Sequence, residues 1–294
     1  PEEAPHEIEG STLDLNWPEQ GEIKFQNVNF RYREDLDLAL TNLNFEIPAM
    51  KRVGVVGRTG AGKSSIIAAL LRVNELDSGK ILIDGVDIST VGLVNLRSRI
   101  GVIPQEPTLF QGTIRSNLDP FQEFEDSLIE NMLEMCGMLE TVMGGEGNGL
   151  EGVVEEDGKN YSLGQRQLLC LARVMLSDPK ILIMDEATAS VDMENDLAIQ
   201  KTIRDHFNSC TLLTIAHRLN TVADSDIILV LDKGKMVELD SPYQLIQNEK
   251  SSFLGMINAT GAQSSKHLVD FINNQKIDSI NKESFTQSKG KGEE

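Results

Sequence analysis

The sequence predicts an α/β domain built on a largely parallel sheet, and three observations indicate this fold class. Short apolar segments at residues 51–56, 181–184 and 211–215 have the length and composition of buried strands. Segments with helical spacing of apolar residues, at 64–73 and 165–176, alternate with these strands. A glycine-rich stretch at 57–62 joins the first of these strands to the first helix. Such alternation is typical of a parallel sheet covered by helices.

The remaining segments extend this plan. Alternating apolar residues at 23–30 and 38–47 predict an antiparallel layer ahead of the parallel sheet. Residues 80–83, 100–103 and 227–231 are further short strands, and Lys233–Gly234 is a turn into a strand at 236–239. Residues 126–138 begin a helical region that runs to about 143, and the glycine-rich stretch 144–158 is a loop.

Composition and charge exclude several classes of function. The 294-residue chain has 40% apolar and 25% charged residues, enough for a sizeable core. Its net charge of −19 disfavours a nucleic-acid surface, so no nucleic-acid partner is expected. The three cysteines fit neither a disulfide framework nor zinc spacing and are expected to be reduced, buried thiols in a cytosolic compartment. No apolar run has the length of a membrane span.

The glycine-rich stretch is the most specific motif in the chain. Residues 57–64 read GRTGAGKS and match the G-x-x-x-x-G-K-[ST] pattern in full. The glycines let successive N–H groups point at phosphate oxygens, and the positive end of the following helix adds to this attraction. The lysine reaches the β- and γ-phosphates, and the hydroxyl is a ligand for Mg²⁺. The sequence therefore predicts a phosphate-binding loop made by Gly57, Arg58, Thr59, Gly60, Ala61, Gly62, Lys63 and Ser64.

A second candidate element is the strand at 181–184, which ends in Asp185 and Glu186. Two carboxylates at the end of a buried strand are costly unless they have partners or a function. In P-loop enzymes the aspartate completes the Mg²⁺ shell, and the adjacent glutamate is placed to polarise the attacking water. Helix capping is the alternative role for such a pair, and the phosphate loop makes it the weaker one.

The third element, residues 161–167 (YSLGQRQ), is by itself ordinary helix-capping chemistry. With the first two elements it resembles the nucleotide-binding domain of an ATP-binding-cassette (ABC) transporter, over about residues 21–257. The family's six motifs occur in order: Walker A at 57–64, the glutamine loop at Gln105, the signature at 161–165, Walker B ending at Asp185, the D-loop at 189–192 and the switch histidine, His217. The phrases RYREDL at 31–36 and SNLDP at 116–120 resemble the second such domain of the multidrug-resistance-associated (C) subfamily.

The resemblance implies a fold and a division of the chain. The fold is a P-loop NTPase cassette of the ABC type, with a RecA-like parallel-sheet core, an antiparallel β subdomain and an α-helical signature subdomain at about 113–178. Residues 1–20 are a linker from a preceding transmembrane domain (Trp17 docks its end onto the domain), and residues 21–258 are the nucleotide-binding domain. Residues 259–294 are a disordered polar tail, in which Leu268, Phe271 and Ile272 form at most one short amphipathic helix. The first residue is Pro1 rather than Met, so we expect a segment of a longer protein.

The resemblance also implies a role for individual residues. Tyr32 stacks on adenine, and Gln105 binds Mg²⁺ or the lytic water on a loop that faces the transmembrane domains. His217 holds the γ-phosphate, and a second nucleotide-binding domain completes each site head to tail. The expected catalytic residues are Glu186, His217, Lys63 and Gln105; the metal ligands are Ser64, Gln105 and Asp185; the ATP-binding set is Tyr32, residues 57–64, Ser65 and Gln105; the trans contacts are Ser162, Gly164 and Gln165, with Asp192 in the D-loop.

The signature departs from the family pattern, which has leucine first and glycine at the third and fourth positions. Here the first position is Tyr161 and the third is Leu163, whose side chain adds bulk where backbone should approach ATP. Ser162 and Gly164 keep the pattern. The signature is altered, whereas Lys63, Asp185, Glu186 and His217 keep the family pattern. In the C subfamily this combination resembles the second domain, whose own ATP is hydrolysed with help from the first domain's signature.

The expected function is ATP binding and hydrolysis, with ATP and Mg²⁺, at the cytoplasmic face of a membrane as part of an integral transporter. Hydrolysis would power export, with organic anions or conjugates as the family's usual cargo. A second hypothesis is a regulatory nucleotide sensor that gates a channel, because the C subfamily contains both. A third is a soluble cassette protein, which usually carries two cassettes in one chain.

Overall fold

The chain is described by a computed structural model, which covers residues 3–7, 13–14, 16–144, 149–185, 193–216 and 218–289. Three of the expected functional residues, Glu186, Asp192 and His217, lie outside these ranges. The same holds for residues 189–191 of the expected D-loop.

Strands form a six-stranded central sheet, a smaller antiparallel sheet and a short two-stranded ribbon. In chain order they are β1 (Ile23–Phe30), β2 (Leu40–Ile47), β3 (Arg52–Val56), β4 (Ser78–Ile83), β5 (Val86–Asp87), β6 (Ile100–Ile103), β7 (Gly112–Thr113), β8 (Val153–Val154), β9 (Ile181–Asp185), β10 (Thr211–Ile215), β11 (Ile227–Asp232) and β12 (Lys235–Asp240).

Helices cover the central sheet and form a separate layer beside it. They are α1 (Lys63–Leu70), α2 (Leu93–Arg97), α3 (Ile114–Leu118), α4 (Asp126–Met135), α5 (Leu139–Gly144), α6 (Leu163–Ser177), α7 (Met193–His206), α8 (Pro242–Gln247), α9 (Ser252–Asn258) and α10 (Ala262–Lys289). Within the described residues, none of these helices combines the length and the hydropathy that a membrane span requires.

The central sheet has the order β12-β11-β3-β10-β9-β6. Every neighbouring pair from β11 to β6 is parallel, and β12 is antiparallel to β11. Strands β3 and β9 are almost continuously buried, which explains why they are read as apolar runs without alternation. Parallel strands all end at the same edge of a sheet, so the carboxyl ends of β3, β10, β9 and β6 meet there.

The antiparallel sheet has the order β2-β1-β4-β5 and confirms the expected opening layer. In β1 and β2 buried and accessible residues alternate, as in a sheet with one face on the core. Phe25 and Phe45 stack across the two strands with ring centroids 4.4 Å apart. This sheet shares its core with one face of the central sheet and with α1.

A second apolar core lies in the helical layer. It joins α3, α4 and α6 to the outer face of β9 and to α7. Helix α6 is its centre, because ten of its fifteen residues are buried. The layer occupies the part of the chain for which the α-helical subdomain is expected.

The C-terminal segment differs from the expected disordered tail. Residues 262–289 form α10, and Leu268 and Ile272 are buried against α8 and α9. These two residues are four apart and lie on one face of the helix, so they cover apolar surface that would otherwise be exposed. The apolar residues noticed in the sequence thus anchor a longer helix than expected.

The N-terminal segment packs onto the domain. The indole N–H of Trp17 donates to the carbonyl of Ile83 at 3.0 Å, and the ring is 4% exposed, in agreement with the expected docking. Arg97 of α2 donates to Glu3 at 3.0 Å and to the carbonyls of Leu71 and Arg72 at the end of α1. The guanidinium of Arg97 beside Glu3 lowers the pKa of that carboxyl. The linker is therefore tied, through one arginine, to the far end of α1.

Candidate nucleotide-binding site

The predicted phosphate loop connects β3 to α1, the strand–loop–helix context that the motif requires. Ser64 is exposed, as are Arg58, Thr59 and Gly60. Ala61 is buried and anchors the loop to the domain. The loop therefore presents its polar face to solvent at the carboxyl edge of the sheet, where ligands of open α/β sheets bind.

Two neighbouring segments hold the loop in shape. A Cβ atom on Gly57 would lie 2.4 Å from the carbonyl oxygen of Leu231, so only glycine fits there. The N–H of Gly234 donates to the carbonyl of Ala61 at 2.9 Å, and the carbonyl of Gly234 accepts from Thr41 at 2.8 Å. The turn between β11 and β12 therefore lies between the phosphate loop and the antiparallel sheet and is hydrogen-bonded to both. The turn at Gly234 was expected from sequence, but this contact was not.

Lys63 lies folded over the loop. Its side chain is 6% exposed, and its Nζ donates to the carbonyl of Gly57 at 3.0 Å. An ammonium is seldom buried without compensating partners. The Lys63 ammonium therefore takes one of its partners from the loop itself.

The strand register brings the second motif to the same edge. Ile215 of β10 is in register with Val55 of β3 on one side and with Asp185 of β9 on the other. One strand separates β3 from β9, so their Cα atoms in this row lie about 10 Å apart. Asp185 is half-buried and directly precedes Glu186. Asp185 therefore ends its strand at the same edge of the sheet as β3, the strand that leads into the phosphate loop.

Gln105 belongs to the same edge. Ile103, the last residue of β6, is in register with Met184 of β9, and Gln105 follows two residues later. Its side chain is exposed. The strands and loops that carry Lys63, Ser64, Asp185 and Gln105 therefore end at the same edge of the central sheet.

Tyr32 also lies at the loop. Its hydroxyl is 3.0 Å from Oγ of Ser65, and its ring packs edge-on against Phe30. The residue is 40% exposed, so part of its surface is accessible to solvent. An exposed aromatic face beside a phosphate loop is suited to stacking on a base.

The signature residues begin α6 and lie on the helical layer. Ser162 caps the helix: its hydroxyl accepts from the N–H of Gln165 at 3.2 Å, and its own N–H donates to the Gln165 side chain at 2.9 Å. Ser162 is exposed, Leu163 half-buried and Gly164 buried. Burial raises the pKa of Tyr161. The positive end of α6 is therefore presented to solvent and is suited to meeting an anion.

No all-protein metal cage is present in the described part of the chain, since no three His, Cys, Asp or Glu side chains cluster there.

A cavity of about 880 Å³ opens on the other side of the phosphate loop, between it and the C-terminal helices. Gly57, Arg58 and Leu268 line it, whereas Lys63 and Ser64 are not among its described lining residues. The lysine and the hydroxyl that the motif predicts as phosphate ligands therefore lie outside the described lining of this cavity.

Comparison with known proteins decides the family. Residues 40–189 match the family model described as "ABC transporter", and the match covers half of the chain. The chain belongs to the ABC transporter family. ATP binding follows from this membership, and the enzyme class is that of an ABC-type ATPase domain. The expected cassette fold is confirmed.

Individual relatives are similar over most of this chain. ABC transporter C family member 3 of Dictyostelium discoideum is 50% identical over 268 residues, 91% of this chain and 19% of that protein. Metal resistance protein YCF1 of Saccharomyces cerevisiae is 49% identical, over 88% of this chain and 17% of that protein. The structure of a bacterial Atm1-family ABC exporter with ATP bound is 33% identical at a TM-score of 0.80, over 88% of this chain and 44% of that one. The chain thus spans less than a fifth of these two curated relatives, and the predicted likeness to the C subfamily is confirmed.

Proposed function

We propose that this ABC domain is the second nucleotide-binding domain of a C-subfamily transporter, and that it binds MgATP at residues 57–65 and hydrolyses it. One observation carries the proposal: Ile215 of β10 is in register with Val55 of β3 and with Asp185 of β9, so one strand separates the strand that leads into the phosphate loop from the strand that ends in Asp185. Lys63 and Ser64 belong to the loop and helix on one side of this gap, and Asp185 ends the strand on the other. A triphosphate whose phosphates rest on the loop would reach into the gap.

Three oxygen donors at this edge suit Mg²⁺. They are the Ser64 hydroxyl, the Asp185 carboxylate and the Gln105 amide oxygen, and hard oxygen ligands are the kind that Mg²⁺ prefers. When bound, Mg²⁺ neutralises charge that develops on the β- and γ-phosphates.

Side chains of this domain have separate proposed roles in binding and hydrolysing ATP. Lys63 offsets negative charge on the phosphates, and Tyr32 stacks on adenine. Glu186 orients a water in line with the γ-phosphorus and accepts its proton as the new P–O bond forms and the bond to the β-phosphate oxygen breaks. His217 donates a hydrogen bond to the γ-phosphate.

A second nucleotide-binding domain completes the site. Ser162, Gly164 and Gln165 lie at the start of α6, where Ser162 is exposed, and on a different layer from Lys63, so they suit ATP held on another domain. Asp192 contributes from the D-loop. Because Leu163 replaces glycine, the site that this signature closes should hydrolyse weakly. Transmembrane domains are contacted through the loop of Gln105, at the cytoplasmic face of a membrane.

Export of substrates is the function that the relatives support. Metal resistance protein YCF1 and the bacterial exporter are named for resistance and export. Organic anions or conjugates are the cargo we propose.

The test is Glu186→Gln, with Glu134→Gln on the exposed side of α4 as the control that removes the same charge. We expect the turnover of MgATP by the chain to be low, to rise with chain concentration, and to fall about a hundredfold or more in Glu186→Gln, as loss of a general base does. The dissociation constant for MgATP should stay unchanged, and light scattering should show a MgATP-dependent dimer. Undiminished turnover in Glu186→Gln, or fast turnover independent of concentration, would contradict the proposal.

A further inference from the structure

The loop that carries Gln105 is attached to the signature helix. We define the Gln105 loop as residues 104–109. The side chain of Gln167 on α6 donates from Nε2 to the carbonyl of Pro104 at 3.0 Å. Arg173 donates to the carbonyl of Thr108 at 3.4 Å and to the carbonyl of Asn117 at 2.8 Å. Each end of the Gln105 loop therefore has a hydrogen bond to α6.

These contacts come from one face of the helix. Gly164, Gln167 and Cys170 are spaced three residues apart, so they lie one turn above the other. Cys170 has its sulfur 3.8 Å from the carbonyl of Thr108. Gln167 therefore lies one helical turn after the signature glycine Gly164. Its hydrogen bond to Pro104 connects the signature helix to the first residue of the Gln105 loop.

The Gln167 amide has one satisfied and one unsatisfied end. The side chain is 0% exposed, and its Oε1 has no hydrogen-bond partner within the described residues. The carbonyl of Pro104 can only accept, which fixes Nε2 towards the loop and Oε1 away from it. A buried acceptor without a partner costs free energy, so Gln167 contributes less to stability than its hydrogen bond suggests. A buried amide with little net stabilising effect, aimed at the loop of a site residue, points to a role in placing that loop.

We propose that Gln167 is a positioning residue, which holds the Gln105 loop at the end of β6 and makes the position of Gln105 follow the signature helix. The inference rests on the role proposed above for Gln105. The relationship works in both directions: movement of α6 at the start of the signature carries the Gln105 loop with it, and movement of the loop carries α6.

The test compares Gln167→Leu with the control Thr202→Val. Leucine has a similar volume and removes both the hydrogen bond and the unsatisfied oxygen, so the melting temperature should change little. Thr202 is also buried and donates to a carbonyl, that of Met135 at 3.2 Å, which belongs to α4 and not to the Gln105 loop. Valine at 202 therefore removes a comparable buried bond and should leave the Gln105 loop unaffected.

Two readouts report on position rather than stability. Amide hydrogen exchange of the peptide 105–111, in which the N–H of Phe110 donates to the Asn117 side chain at 2.8 Å, should quicken about fivefold in Gln167→Leu, the effect of one hydrogen bond on a local opening equilibrium. The peptide of β6 should exchange as before. Turnover of MgATP at a fixed chain concentration should fall about tenfold or more, as misplacement of a catalytic group does, with the dissociation constant for MgATP unchanged.

A double-mutant cycle with Gln105→Ala decides whether Gln167 acts through Gln105. Gln167→Leu should have no further effect on turnover once Gln105 is alanine. Additive effects, or wild-type exchange and turnover in Gln167→Leu alone, would overturn the inference and leave the role of Gln105 intact. Wild-type turnover in Gln105→Ala alone would overturn that role and the inference with it. If Gln167→Leu does not fold, Gln167→Met supplies an unbranched side chain of similar length for the same measurements.

Discussion

Lys63 donates a hydrogen bond to the carbonyl of Gly57, six residues earlier, at 3.0 Å. The lysine at the end of the phosphate loop therefore closes the loop onto its own first residue. The same ammonium is the group that we propose contacts the phosphates of ATP.

Replacement of this lysine should weaken ATP binding. Lys63→Met removes the charge and leaves the alkyl chain, and we expect the dissociation constant for MgATP to rise about tenfold to a hundredfold, the effect of one charge-assisted hydrogen bond. Isothermal titration calorimetry measures it. Lys24→Met removes a lysine that pairs with Glu46 on the antiparallel sheet and should leave the affinity unchanged. Equal affinities for Lys63→Met and wild type would contradict the assignment.

Ser162 has two roles that two substitutions can separate. Ser162→Ala removes the cap of α6 and should lower the free energy of unfolding by about 1 kcal/mol, whereas Ser162→Asp keeps the cap. Aspartate would repel the phosphates of ATP on the opposite domain. We expect both variants to weaken MgATP-dependent association in light scattering, and only Ser162→Ala to unfold earlier in urea. Normal association in Ser162→Asp would argue against the trans contact.

Gly234 should be essential to the shape of the phosphate loop. Its φ is +74°, and a Cβ would lie 2.5 Å from the carbonyl oxygen of Ala39. Gly85 has φ +78° with nothing within 4 Å of such an atom, so Gly85→Ala is a control for backbone strain alone, at about 1 kcal/mol. We expect Gly234→Ala to lower the free energy of unfolding by more than this control in urea titrations, and to weaken MgATP binding where the control does not. Equal effects of the two substitutions would show that the close approach of Gly234 to the Ala39 carbonyl contributes to neither the free energy of unfolding nor the affinity for MgATP.

The three cysteines should resist alkylation while the chain is folded. Burial raises the pKa of Cys136 and Cys210 to about 12 and raises that of Cys170. The reactive thiolate is therefore scarce at pH 8, and its share rises only as the pH approaches the raised pKa. Mass spectrometry after iodoacetamide treatment should find little modification in the native chain and complete modification in urea. Rapid labelling of the native chain at pH 8 would contradict their burial.

Much of the fold was predictable because its signals are local. The buried strands β3 and β9 appear as apolar runs, the phosphate loop as a pattern of glycines, and the antiparallel layer as alternation. Helix α7 was missed, and its mean hydropathy is low. The tail was expected to be disordered because its composition is polar, whereas Leu268 and Ile272 of α10 are buried in a core against which Val269 and Phe271 also pack.

The sequence by itself determined the chemistry of the site: the residue types and their order fix a phosphate loop ending in Lys63 and a strand ending in Asp185. Only the tertiary structure decided what surrounds them. Two such contacts join residues that are far apart in the chain. Gly234 packs between Ala61 and Ala39, and Gln167 donates a hydrogen bond to Pro104. Such contacts depend on strand order and helix placement, and no local pattern of residues records which distant carbonyl a buried amide will meet.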